Sequence, residues 1–354
     1  MLIRYVRRHG VTRRHLIGGL CVATGFGVVS LIVAMTGGDL VDAVAGWFHG
    51  AAGTPYSALQ TLAYAVPLAL IALGASPALR AGVVVVGAEG QLVVGAIAAT
   101  ALMLSPVGRL PGILALPLGA GAGIAGGVLW AMIPAVPQVR WRVSEILSAL
   151  MANYIATHLL SFLLRTSLRD PDGFSAPRSA DLPSSALIPF LPVPGRLTTG
   201  VLIVVVAAGV GLWWRRTRSA LVLDVFAEQR WLAARLGGST TRVIIGTTAL
   251  SGAAAGLTGW LQVAGVDGRL TPGVAGGIGF TGLVVAVLGR FRPIPIMIAA
   301  LLMASLFTGA NGIQMTSAIP ASIGTVTQGV LLLAVAAAVT VARRSAPNRG
   351  GMRE

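Results

Sequence analysis

Gly82-Val-Val-Val-Val-Gly-Ala-Glu-Gly-Gln-Leu-Val-Val-Gly95 decides how this chain is read. The run is apolar enough for hydrocarbon, yet it carries a carboxylate, Glu89, in its middle. A charge there costs about 2.5–3.5 kcal/mol on insertion scales, so it needs a partner, a cavity or a task. Gly87 and Gly90 bracket it, and each weakens a helix interior by about 1 kcal/mol relative to Ala. A broken helix beside the buried polar pair Glu89 and Gln91 is how a membrane protein builds a site near the bilayer midplane. The expectation is an element that lines a route through the membrane.

Working outward, the 354 residues are 55% hydrophobic and only 10% charged, with mean hydropathy +0.83. Soluble domains carry about 25% charged residues, so the composition predicts a polytopic membrane protein. Apolar windows near the ~20 residues needed to span fall at 16–35, 57–75, 83–104, 111–133, 144–165, 199–214, 243–263, 293–310 and 322–342. A shorter one lies at 277–289. The fold class expected is all-α and polytopic, with about ten transmembrane helices, some short or broken. The organisation expected is a basic N-terminus at 1–15, one transmembrane domain at 16–342 and a tail at 343–354.

All 26 basic residues are Arg, and the net charge is +15. In a soluble protein that excess would suggest nucleic acid; here its placement assigns it to topology. Arg4, Arg7, Arg8, Arg13 and Arg14 precede the first span. Arg215, Arg216, Arg218, Arg230, Arg235 and Arg242 fill one loop, and Arg343, Arg344, Arg349 and Arg353 follow the last span. Ten spans put all three clusters on one side, which the positive-inside rule makes cytoplasmic. Both termini are thus expected in the cytoplasm, with lipid around the protein and no nucleic-acid partner. Cys21 is the only cysteine, so no internal disulfide is possible. The first apolar run reads as a retained helix rather than a signal peptide, because no clear small-residue cleavage site follows it.

Two loops differ in kind. Residues 166–198, rich in Pro, Ser and Asp, fall outside and should form an irregular cap. Residues 215–242 fall inside, where Asp224-Val-Phe-Ala-Glu-Gln-Arg-Trp-Leu-Ala-Ala-Arg-Leu236 reads as one amphipathic helix stopped by Gly237 and Gly238. There is also an internal echo: Gly87-Ala-Glu-Gly-Gln-Leu-Val-Val94 lines up with Gly279-Phe-Thr-Gly-Leu-Val-Val-Ala286. As third and eighth spans these are five apart, and an odd offset inverts the second copy, as in the inverted repeats of transporters. Gly87, Gly90, Gly279 and Gly282 are then the expected helix-breaking glycines.

With no Lys there is no phosphate-binding P-loop lysine and no Schiff-base lysine, so the chain cannot be a conventional ATPase by itself. His9, His15, His49 and His158 show no metal-ligand spacing, and no Gly-x-Ser-x-Gly occurs. Neither catalytic nor metal residues are expected.

Three stretches together resemble the permease subunits of bacterial ABC importers for simple sugars and nucleosides, the group related to ribose and branched-chain amino-acid permeases. They are Gly87-Ala-Glu-Gly-Gln91, Val143-Ser-Glu-Ile-Leu-Ser-Ala-Leu-Met-Ala-Asn-Tyr-Ile-Ala156, and a set running from Ala233-Ala-Arg-Leu-Gly-Gly238 through Leu250–Gly259 and Gly279–Arg290 to Gln328-Gly-Val-Leu-Leu332. The Glu-Gly-Gln form leans toward the nucleoside-type branch. The chain departs from the family pattern at Val85, Ser144, Glu228–Trp231 and Thr281, which marks a divergent member.

The resemblance implies a non-catalytic translocation subunit without a cofactor, ATP being bound by a separate cytoplasmic ABC ATPase. It implies a second permease subunit, here a different chain, and an external solute-binding protein or lipoprotein. The ATPase would dock on Phe226, Trp231, Ala233, Ala234, Arg235, Gly237 and Gly238. Glu89, Gln91, Asn153, Thr281, Gln314 and Gln328 are candidates for the solute path. For Glu89 the alternative is a structural carboxylate hydrogen-bonded to the broken helix, and for Gln91, Asn153, Gln314 and Gln328 interhelical hydrogen bonding worth about 0.6 kcal/mol each. The alternative is an ion-coupled secondary transporter that uses Glu89 as carrier.

Overall fold

The computed structural model describes residues 40–171, 177–192, 197–235 and 238–316, together with Gly329. The expected spans 16–35 and 322–342, the basic N-terminus, Cys21, Gly237, Gln328 and the tail 343–354 lie outside the described residues. Eleven helices are named below. They are α1 (Leu40–Phe48), α2 (Pro55–Arg80), α3 (Ala88–Leu104), α4 (Gly112–Trp141), α5 (Glu145–Leu163) and α6 (Val201–Trp214). They continue with α7 (Arg218–Glu228), α8 (Arg230–Arg235), α9 (Thr240–Gln262), α10 (Ile278–Leu288) and α11 (Pro293–Thr316). Among the described residues, five helical stretches are long and apolar enough to cross a membrane, and α3, α6 and α10 are shorter apolar helices. The protein is therefore all-helical and polytopic. Helix α1 falls between the first two expected spans and was not foreseen.

Local chemistry sets several boundaries. Before α2, the Ser57 amide donates to Thr54 Oγ1 at 3.0 Å and the Thr54 amide donates to Ser57 Oγ at 2.9 Å. This reciprocal cap satisfies donors that a helix start leaves free, and Pro55 occupies the first helical position, where no amide is needed. Pro293 starts α11 in the same way. Helix α4 ends where Arg142 turns left-handed, at φ 55°.

The described residues fall into two compact units, Leu62–Met303 and Met1–Thr61 with Ala304–Glu354. The first is centred on α3, α4 and α9, whose backbones meet through glycines. A Cβ on Gly95 would sit 2.7 Å from the carbonyl oxygen of Gly256, and one on Gly252 would sit 2.6 Å from that of Gly127. Small residues substitute here for a hydrophobic driving force, because lipid tails are as apolar as the side chains.

The 166–198 segment is irregular, as expected. Isolated bridges join Arg169 to Ser179 and Phe190 to Thr198. Arg178 pairs with Asp170 and Arg269 with Asp181, each at 3.2 Å. The Leu270 amide donates to Ser179 Oγ at 2.8 Å, and Ser185 Oγ donates to the Gly108 carbonyl at 2.6 Å. The segment thus caps the end of the unit where α3 finishes.

The 215–242 segment is not the single helix the sequence suggests. Helix α7 starts earlier, at Arg218, and Gln229 is extended (φ −144°, ψ 95°) before α8 begins. No Gly or Pro marks that break, so periodicity alone could not place it.

The second unit is built on close contacts of its own. Thr61 Oγ1 donates to the Ala51 carbonyl at 2.7 Å and shares a 2.6 Å hydrogen bond with Thr308 Oγ1. The Trp47 indole lies against Gly309.

Candidate functional site

Gly82 turns left-handed (φ 75°), and Val83–Val86 carry no helix before α3 begins at Ala88. The chain breaks between α2 and α3, with Gly87 at the N-cap of α3; Gly90, the other glycine expected to break the helix, lies inside its first turn. On the other side, Gly276 (φ 48°) and Gly277 (φ 80°) lead into α10. Left-handed backbone is open to Gly at no steric cost. The second break lies at this pair, so Gly279 and Gly282 are inside α10 rather than at its break.

The two helix N-termini face each other across Glu89. Its Oε1 accepts from the Gly277 amide and its Oε2 from the Gly279 amide, both at 2.8 Å. A carboxylate at a helix N-terminus meets free donors and the positive end of the dipole. Each charge-assisted bond contributes about 1.5–3 kcal/mol, enough for two to offset the insertion penalty of about 2.5–3.5 kcal/mol. Gly279 has to be glycine: an added Cβ would lie 2.5 Å from the Glu89 nitrogen and 2.6 Å from its Cα, both backbone atoms.

Asn153 on α5 secures the first break from the other flank. Its Oδ1 accepts from the Gly90 amide at 2.9 Å, and its Nδ2 donates to the Val86 carbonyl at 3.1 Å. Thr281 donates back to the Gly277 carbonyl at 3.0 Å within the first turn of α10. Gln91 is buried, and neither end of its amide meets a protein partner among the described residues. The Trp130 Nε1 is likewise buried and unpaired, and it lies 3.0 Å from where a Gly90 Cβ would be. The structure thus brings Glu89, Gln91, Asn153 and Thr281 to one locus. Gln314 belongs to α11, in the other unit. Glu145 is buried at the start of α5 and takes a hydrogen bond from the Gln138 side chain. The neighbouring Arg140 and Arg142 form no ion pair with it among the described residues.

The run from α3 and that from α10 leave this locus in opposite directions. Helix α3 leads to Gly108, held by Ser185 of the cap. Helix α10 leads to Phe291, whose carbonyl accepts from Arg215 at the far end of α6. Between the locus and that far end, Val83 and Val85 of the α2–α3 connection share a core with Phe226 of α7 and Ala233 of α8. Phe226 and Ala233 face inward, whereas Trp231 is 60% exposed with the Arg235 guanidinium 5.1 Å from its ring. Arg80 at the end of α2 pairs with Asp224 of α7.

Sequence reasoning missed Gly277, Trp130 and the Arg80–Asp224 pair. A double glycine immediately before an apolar run marked the first, and a lone Arg at the end of a span marked the last. Trp130 carried no local signal, since an aromatic in an apolar helix is ordinary.

Polytopic, all-helical, and with its polar residues gathered where two half-helices meet, the molecule has the architecture of a membrane permease. A model of the family described as branched-chain amino acid transport system / permease component matches residues 57–336. The chain belongs to that family, and is a non-catalytic permease subunit of an ABC importer. It is 34% identical to a glucose ABC transporter permease of Haloferax volcanii, over 83% of this chain and 80% of that one. It is 27% identical to a guanosine ABC transporter permease of Bacillus subtilis, over 91% and 93%. It is 26% identical to a nucleoside ABC transporter permease of Lactococcus lactis subsp. cremoris, over 90% of each. No solved structure matches the chain significantly.

Proposed function

We propose that this permease carries a nucleoside-like or simple-sugar solute inward, with both termini in the cytoplasm of an inner-membrane protein. One transmembrane domain, 16–342, would do so with a cytoplasmic ATPase, a second and different permease chain and an external solute-binding protein. The observation that carries the solute class is the shared chemistry of the relatives' cargoes: glucose, guanosine and nucleosides are all polyhydroxylated rings. Such solutes need neutral donors and acceptors, which the unpaired amide of Gln91 and the indole of Trp130 supply beside the two breaks.

Coupling follows from the same geometry. Trp231 and Arg235 form the face offered to the ATPase. Phe226 and Ala233 tie that face to Val83 and Val85, and the α2–α3 connection leads to the Glu89 latch. Displacement of the α7–α8 segment would move that connection and so open or close the half-helix junction. Glu89, with both oxygens taken by backbone amides, acts here as a positioning residue. That occupancy also speaks against the ion-coupled alternative, which needs a carboxylate free to bind and release its ion.

The test is uptake of labelled guanosine and labelled glucose by cells with and without the gene. Loss of either uptake on deletion, restored by the gene, is the expected result. Full uptake of both solutes in the deletion strain would overturn the assignment.

A further inference from the structure

A groove of about 380 Å³ runs between α2, α6 and α9, and no candidate path residue lines it. Its walls are apolar, with Leu70 and Leu73 from α2, Val210 from α6, and Leu250 and Leu257 from α9. The Ser76 hydroxyl on its wall is already spent on the Leu73 carbonyl at 2.9 Å. Such a lining offers nothing to a polyhydroxylated solute. The charges are confined to one end, where Arg80 and Arg215 close the groove beside Trp214.

Depth and charge together describe an occupant. From Leu70 to Arg80 the helical rise is about 15 Å, half of the ~30 Å hydrocarbon thickness, and so the depth of one leaflet. Trp214 sits where an indole marks the headgroup level. Arg80 gives one nitrogen to Asp224, while its Nη1 is buried and has no protein partner among the described residues. Among the described residues, Arg215 donates one long hydrogen bond, at 3.5 Å, to the Phe291 carbonyl. Burial first, then the nearby Arg80 and Arg292, push the Arg215 guanidinium below its ordinary value, with Asp224 acting the other way. A bound anion would relieve each of these strains.

We propose that this groove binds one anionic phospholipid, its phosphate on Arg80 and Arg215 and an acyl chain along α2 and α9. Guanidinium forks match phosphate oxygens in pairs, and basic pockets between spans are known headgroup sites. With the orientation proposed above, the lipid comes from the cytoplasmic leaflet; its binding does not depend on which solute is carried. The phosphate shares Arg80 with Asp224 of α7, so the lipid steadies the junction between α2 and the segment that contacts the ATPase.

The experiment is native mass spectrometry of the full-length permease in its complex, incubated with phosphatidylglycerol or with phosphatidylcholine of equal chain length. Retention of phosphatidylglycerol should exceed that of phosphatidylcholine by at least about tenfold. Arg215→Gln should bring the two lipids level. Val210→Trp, at a side chain that is 56% exposed, should fill the groove and remove both. Monodispersity of each variant guards against misfolding, and Val210→Trp decides alone if Arg215→Gln does not assemble. Equal retention of both lipids, or retention unchanged by the variants, would overturn the proposal. So would displacement of the lipid by inorganic phosphate, which would make this a site for the free ion.

Discussion

The two oxygens of Glu89 and the amides of Gly277 and Gly279 match one to one, and this pairing makes a specific demand on the side chain. Glutamine has a single acceptor oxygen and would turn an NH₂ toward the other amide. Glu89→Gln should therefore destabilise the purified protein by about 1–3 kcal/mol, read as a lower unfolding temperature, with the fractional loss of uptake constant across pH. Uptake abolished in a variant of unaltered stability would point to chemistry instead. Asn153→Leu frees the Gly90 amide and the Val86 carbonyl together and should cost about as much as losing a helix cap, 0.5–2 kcal/mol. At this scale the sequence was informative about where, and less so about what. Glu89 and Asn153 stood out as polar residues in apolar runs, but their partners are backbone atoms, which leave no trace in a side-chain pattern. Gln91 kept its ambiguity for a related reason: the sequence cannot say which buried amide is left unpaired.

Among elements, α3 and α10 are short apolar helices. Hydropathy marked the second as a short window at 277–289, whereas 83–104 read as a full span and only Gly87, Glu89 and Gly90 pointed to a break in it. The aligned glycines misplaced the second break by two residues. Alignment matches residue types, whereas a break is fixed by backbone conformation, and only Gly276 and Gly277 turn left-handed there. Gly279 has a different duty, the close approach to Glu89. Gly279→Ala should accordingly abolish assembly or transport, because the atoms it meets belong to the backbone and cannot swing aside; normal uptake would show that the junction is loose. The α7–α8 segment was legible as an amphipathic element but not as two helices. Its apolar face proved divided, with Phe226 held in the core and Trp231 left outside. Trp231→Ala or Arg235→Ala should uncouple ATPase docking while membrane insertion persists, checked by co-purification of the ATPase. Undiminished co-purification and uptake in both would remove this segment from the interface.

For the molecule as a whole, composition and the arginine pattern were enough to predict a polytopic helical protein, and the ordered motifs were enough to suggest its family. The packing that holds it together was less visible. Forty-seven glycines say that helices approach closely, yet not that Gly95, Gly127, Gly252 and Gly256 bring α3, α4 and α9 into backbone contact. The groove ending in Arg80 and Arg215 was hidden too, because it joins residues from five separated parts of the chain. The account rests on a division of labour in which the energy comes from a partner ATPase and Glu89 fixes geometry. The direct test is solute uptake by proteoliposomes holding the complete complex, with ATP supplied inside and a proton uncoupler added. Uptake should follow ATP and be indifferent to the uncoupler; uptake that collapses with the uncoupler while ATP is intact would contradict it.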